Sequence, residues 1–536
     1  MTLTDFLQHW SLTENPFKGE EARADEVFSR LCGDVPAEGV TQAATVTRSG
    51  EFRHVPAGGT YHADFEKILG DLRRPSCAVV FGEKGSGKTA IRIQIARRVE
   101  AFNAANPGAK VLCVAYDDLN QALDQLHDRL GSKAAIESLQ KMRLVDHVDA
   151  VMGQVVPRLV DAVLLEGEAS RRIPLGEQGK LHKRLDVMTR RDLLLLQALY
   201  DRPDDAARRT ARLRSRLRLM PPGSAIWGRL TIIILPLLIV AGWWWGKRWV
   251  ESRPADATPF IDPQWVTWAL AGVAGLYALF ALKIGVWDRL ALLRQAHRVR
   301  RQVRVIGRGD ISFAGSLRQL PRWFRDLAHL PVTDSEDPRF EMFERLRRVL
   351  RPFGYAGVVL VIDRVDEPTI VNGDPERMKA VVWPLLSNKF LQLDGLGVKM
   401  LLPMELRHAV FKESNAFFQS ARLDKQSMIE RLTWTGQTLY DLCEARLNAC
   451  RAPGSPHLPL LDLFAQDVTR QELIEGLERL HQPRDAFKML YRCIGDHCAS
   501  LTRGEAQWRI PQHVLANVLK SESERVQAMH RGIRPA

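Results

Sequence analysis

Cys77-Ala-Val-Val-Phe-Gly82-Glu-Lys-Gly-Ser-Gly87-Lys88-Thr89 is the stretch that decides how the chain folds. Small and apolar residues make a short buried strand. A turn of the form G-x-x-x-x-G-K-T follows, and a helical run begins at Ala90. Strand, glycine-rich turn and helix in that order are the context a phosphate-binding loop requires. The glycines let the backbone curl so that its N–H groups face an anion. The helix start behind them adds partial positive charge. Gly82, Glu83, Lys84, Gly85, Ser86, Gly87, Lys88 and Thr89 are therefore the expected phosphate cradle. Lys88 is placed to reach the outer phosphates and the Thr89 hydroxyl to hold Mg²⁺.

Working outward, Lys110-Val-Leu-Cys-Val-Ala-Tyr116 reads as a second buried strand. Strand, loop, helix, strand is the opening of a parallel α/β sheet. The pattern then breaks, and residues from about 120 to 220 are helical in composition. The sheet resumes at Val358-Val-Leu-Val-Ile362-Asp363-Arg364-Val365-Asp366-Glu367. A buried parallel strand delivers its last side chain to the mouth of the sheet, where ligands bind. Asp363 is thus the expected partner of Thr89 at Mg²⁺. Glu367 is the expected water-polarising acid, with Asp366 as the alternative. Gly397 to Arg407 reads as the next strand, bringing Glu405 or Arg407 towards a γ-phosphate. Met428 to Trp434 reads as a last short strand. Arg422, just before it, is where a finger acting on a neighbouring copy would lie. From Thr435 onward the chain is helical, and Arg484, in Gln482-Pro483-Arg484-Asp485, is placed to touch a nucleotide from a lid helix. No Asn/Thr-Lys-x-Asp stands where a guanine would need it, so ATP is the expected nucleotide.

The chain has 536 residues, a net charge of +13 and seven scattered cysteines with no C-x-x-C pair. That cysteine usage points to a reducing compartment rather than a disulfide scaffold. Two segments, Leu230 to Gly246 and Gln264 to Leu282, carry no charge, and eight of the 13 tryptophans lie between Trp227 and Trp287. The basic excess is concentrated beside them: +5 from Asp201 to Arg229 and +7 from Lys283 to Arg308. Apolar length, aromatic ends and basic flanks predict two membrane-spanning helices, at about 227–246 and 264–285. The expected location is a bacterial inner membrane with both termini cytoplasmic. Basic residues committed to a bilayer leave little for a nucleic-acid footprint, which is not favoured.

Two membrane helices between the phosphate loop and the acidic strand give a layout that resembles the KAP family of P-loop NTPases, within the wider STAND group. The chain matches at Gly82 to Thr89 and at Ile362 to Glu367, and departs from many members at Arg364, where they carry a second acid. The resemblance implies an α/β parallel-sheet P-loop NTPase core with a helical C-terminal lid and an inserted transmembrane hairpin. The expected divisions are 1–60, an N-terminal segment; 61–125 and 326–434, the two halves of the core; 126–325, the helical insertion; and 435–536, the lid. It implies a membrane-anchored, Mg²⁺-dependent ATP hydrolase, a switch in signalling or anti-phage defence. The expected partners are the lipid bilayer, further copies of the chain and a protein encoded in the same operon. Two other readings stand beside it, a nucleic-acid-associated motor or loader and an ATP-gated pore.

Overall fold

The computed structural model describes residues 1–18, 21–33, 61–168, 171–176, 181–220, 287–327, 330–501 and 507–530, with scattered positions between 236 and 279. The chain forms two compact units. One joins Met1–Leu119 to Ala356–Ala536, and the other is Asn120–Tyr355. The helical insertion is therefore wider at both ends than 126–325.

The first unit is mixed α/β and is built on a five-stranded parallel sheet. Its strands are β1 (Ala78–Gly82), β2 (Lys110–Tyr116), β3 (Tyr355–Ile362), β4 (Leu396–Pro403) and β5 (Ser427–Ile429). Their order in space is β2-β3-β4-β1-β5. β1 and β4 are buried at every position, as runs covered on both faces must be. Register sets Ala78 beside Lys399 and Gly82 beside Pro403, while Val358 pairs with Leu396. All these strands end at one edge of the sheet. β4 lies between β1 and β3, so the phosphate-loop strand and the acidic strand are separated by two strand spacings, about 10 Å. Phe65, Ile68, Ile91 and Ile95 pack with Val80, Val359 and Val361 to close the core around the sheet.

β5 is shorter than the expected strand over Met428–Trp434. Beyond Ile429 only the Leu432 amide still reaches β1, donating to the Phe81 carbonyl at 2.8 Å. Trp434 then turns out of the ladder, and its Nε1 donates to the Ser86 carbonyl at 2.8 Å. From Thr435 the chain is helical, with Gly436–Ala449, Arg470–Glu478, Pro483–Ser500 and Gln512–His530. Residues of the N-terminal segment complete that helical core: Phe6, Leu12, Phe17 and Val27 are buried within it. The Asn15 side chain accepts the Phe17 amide at 3.0 Å, fixing the Asn-Pro-Phe turn that seats Phe17.

The regular structure of the second unit is helical among its described residues, apart from Tyr355 at the start of β3, and several of its arginines are bonded to carboxylates or carbonyls within it. Arg209 is 5% exposed and donates to Asp201 at 2.9 Å and to Asp161 at 2.8 Å. Arg308, at 1% exposure, donates to the Ala198 carbonyl at 2.7 Å. Arg304 reaches Asp146 and Arg300 reaches Asp310.

These contacts correct the membrane expectation. Among the described residues no helix is long and apolar enough to cross a membrane, so the inner-membrane location and its topology do not stand. The two segments that carried the expectation lie largely outside the described residues. The physical reason for the misreading is in the flanks. Arg209, Arg304 and Arg308 belong to that basic excess, yet each is largely buried and bonded within a folded helical unit, while Arg212 and Arg300 pair with Glu166 and Asp310 at its surface.

Candidate phosphate-binding site

β1 ends at Gly82 and the helix Lys88–Ala105 begins six residues later, so the chain between them must reverse within the loop. Two glycines make that possible: Gly85 has φ +102° and Gly87 φ +97°. A side chain at Gly85 would also collide with Gln482 and Arg484, which close over the loop from the C-terminal helices. Gly87 caps a helix whose first amides have no acceptor within it, the arrangement that receives anions.

Lys88 folds back over the loop, and its Nζ donates to the Gly82 carbonyl at 2.7 Å and to the Glu83 carbonyl at 2.9 Å. Burial lowers its proton affinity, and Asp366, Asp363 and Glu405 oppose that from across the site. The loop is held from outside as well. Glu83 pairs with Arg431 at 2.7 Å and accepts from Gln482, while Trp434 holds the Ser86 carbonyl.

Asp363 follows directly on β3 and is 1% exposed. Burial raises its carboxyl above the usual range, while Arg92 and a hydrogen bond from Thr89 draw it back. Among the described residues its Oδ2 accepts no hydrogen bond, although Arg92 Nε lies 3.4 Å away. A buried carboxylate oxygen with lone pairs that accept no hydrogen bond, beside the Thr89 hydroxyl, suits a hydrated Mg²⁺. Among the described residues no group of three His, Cys, Asp or Glu could hold a metal alone. A magnesium ion here would therefore take most of its oxygens from phosphate and water.

One cavity gathers most of the expected residues, though Gly82, Glu83 and Ser86 are not among its lining. Lys84, Gly85, Gly87, Lys88, Thr89 and Arg484 line it together with Asp363, Asp366 and Glu367. Glu367 is raised by burial and by Asp366 and lowered by its ion pair with Arg364. Arg422 is not among the lining residues; it is exposed, with Nη1 3.5 Å from Gln392 Oε1. Arg407 is occupied by Glu430 at 2.7 Å.

Sequence reasoning missed several residues of the site. Arg92 lies one turn beyond Thr89 on the same helix face, a spacing that could have revealed it. Asp117 follows β2 as Asp363 follows β3, and Arg92 Nη1 lies 3.2 Å from it. Asp25 and Arg446 pair at 2.6 Å along the cavity wall, and Glu21 and Phe28 join them there. Nothing local in the sequence announces that second group, because its partners are far apart in the chain.

Comparison with protein families, curated proteins and solved structures finds no match to this chain.

Proposed function

We propose that the chain is a P-loop NTPase that binds ATP with Mg²⁺ and hydrolyses it, acting as a nucleotide-driven switch of the signalling or defence kind. The observation that carries this reading is the convergence of Lys88, Thr89, Asp363, Asp366 and Glu367 on one cavity. They come from two stretches of chain separated by the whole of the Asn120–Tyr355 unit.

In this reading Lys88 exchanges its two carbonyl bonds for phosphate oxygens, with the loop amides and Arg484 sharing the charge. Thr89 and Asp363 would hold Mg²⁺, which when bound neutralises phosphate charge. Phe28, Leu442 and Phe487 offer apolar walls to a nucleobase, with the helix Pro483–Ser500 as lid. Water attacks the γ-phosphorus, the bond to the ADP oxygen breaks, and Glu367 takes the water's proton. The products are ADP and phosphate. Asp366 is the alternative base. Further copies of the chain are proposed partners, with Arg422 reaching a neighbour's site.

The test is substitution with binding and turnover read separately. Lys88→Ala is expected to abolish ATP binding. Glu367→Gln is expected to bind ATP and to lose about 10²- to 10⁴-fold in turnover. Normal turnover in Glu367→Gln with loss in Asp366→Asn would move the base to Asp366. ATP binding that survives Lys88→Ala would sink the reading.

A further inference from the structure

Arg364 stands directly after Asp363 and has φ +62°, a left-handed conformation rare for a residue with a side chain. Such backbone costs on the order of 1–3 kcal/mol and persists where the surroundings fix it, most often at functional sites. Here the surroundings are two carboxylates. Arg364 Nε lies 2.7 Å from Glu367 Oε1, and its Nη2 bonds Glu21 of the N-terminal segment. The Arg364 side chain is 15% exposed, which leaves it little room to wander.

Glu21 does not act alone. Arg23 pairs with Asp117 at the end of β2, and Asp25 pairs with Arg446 in the helix Gly436–Ala449 at 2.6 Å and 3.2 Å. Glu21, Arg23 and Asp25 alternate along the chain, so residues 21–25 form a strap pinned at three points. Glu21, Ala22 and Asp25 of this strap line the same cavity as Lys88 and Glu367. An isolated exposed ion pair contributes little, because ordering two long side chains offsets the attraction. In this strap the flanking pairs already hold the backbone, so the Glu21–Arg364 contact carries less of that ordering cost.

We propose that Arg364 is a positioning residue for Glu367 and that Glu21 anchors it, so that the seated strap sets the place of the water-activating acid. The Arg364 charge beside Oε1 leaves Oε2 of the same carboxylate to take the proton from water. The proposal rests on the ATP-hydrolase reading of the site.

The experiment uses the full chain and the variants Arg364→Ala, Arg364→Lys and Glu21→Gln. Turnover at saturating Mg·ATP, KM, and hydrogen exchange of the amides from 21 to 33 are measured on each. Arg364→Ala is expected to lose about tenfold in turnover, with KM within about twofold of the parent. Arg364→Lys should recover part of the loss, and Glu21→Gln should show a smaller one. Exchange over 21–33 should quicken in Arg364→Ala and in Glu21→Gln alike. Unchanged turnover, a loss confined to KM, or unchanged exchange in both variants overturns the proposal. If the parent chain hydrolyses no ATP, the hydrolase reading has failed instead. Quickened exchange in both variants would then leave a structural strap and overturn the positioning role.

Discussion

Lys399 shows what a single residue does to this sheet. It sits in β4, fully buried, between Val361 on one side and Ala78 on the other. Among the described residues its Nζ finds the Ser76 hydroxyl, at a long 3.5 Å. Burial drives its pKa from 10.5 down to about 8. Below about pH 8 the amine is charged in both folded and unfolded chain, and the folded state bears the full cost of burying it. Between about 8 and 10.5 the folded chain has released the proton and the unfolded chain still holds it. The unfolded state then binds more protons, so stability rises with pH across that window. Lys399→Met keeps the volume and removes the charge. It is expected to stabilise the chain at pH 7 by about 3 kcal/mol and to abolish the rise between pH 8 and 10.5. Denaturant unfolding at pH 7 and pH 10 measures both, and a Met variant less stable than the parent at pH 7 contradicts the argument. The sequence presents Lys399 only as one charge inside an apolar run, where nothing sets it apart from an ordinary strand residue.

Elements differ in how far the sequence betrays them. The unit of β1, loop and helix was legible because every part of it is local. Gly85 and Gly87 sit where positive φ is needed, and Lys88 and Thr89 follow immediately. β3 was legible for the same reason, a run of β-branched residues ending in Asp363. β5 was overextended because Met428–Trp434 is apolar enough for a strand, while the claim of Ser86 on Trp434 is a tertiary contact. The largest misreading was of the helices around residue 209. Alternation of Arg with Leu and Ala reads the same whether the arginines face lipid headgroups or buried aspartates. Only the fold brings Asp161 and Asp201 to Arg209. Removing one partner of such a group strands the other charges in the interior. Arg209→Ala is therefore expected to destabilise the Asn120–Tyr355 unit by about 3–5 kcal/mol. Thermal unfolding of the full chain checks this, and a transition unchanged by the substitution would show that the network contributes nothing.

At the scale of the whole molecule, two facts bear on whether one chain suffices. Within a single chain the cavity collects Lys84, Lys88, Arg484 and Arg364 as its cations, together with Arg446 along the wall. Arg364 and Arg446 are already spent on Glu21, Glu367 and Asp25. Charge developing on the γ-phosphate would therefore be met from within the chain mainly by Lys84, Lys88 and Arg484. Arg422 is exposed and outside the cavity, at the C-terminal cap of the helix Asn415–Ala421 between β4 and β5, with a 3.5 Å contact to Gln392. A cation so placed cannot serve its own site, but it is free to serve another's. If it does, hydrolysis needs association, and specific activity rises with protein concentration. Lys88→Ala and Arg422→Ala would each be inactive alone for different reasons. The first lacks a nucleotide and the second lacks the finger it gives its neighbour. Mixed, an Arg422→Ala protomer retains a competent loop and can borrow Arg422 from a Lys88→Ala protomer. ATPase assays on the mixture are expected to recover part of the parent activity. Activity proportional to concentration, with no recovery on mixing, would leave hydrolysis to the single chain and make Arg422 a surface residue.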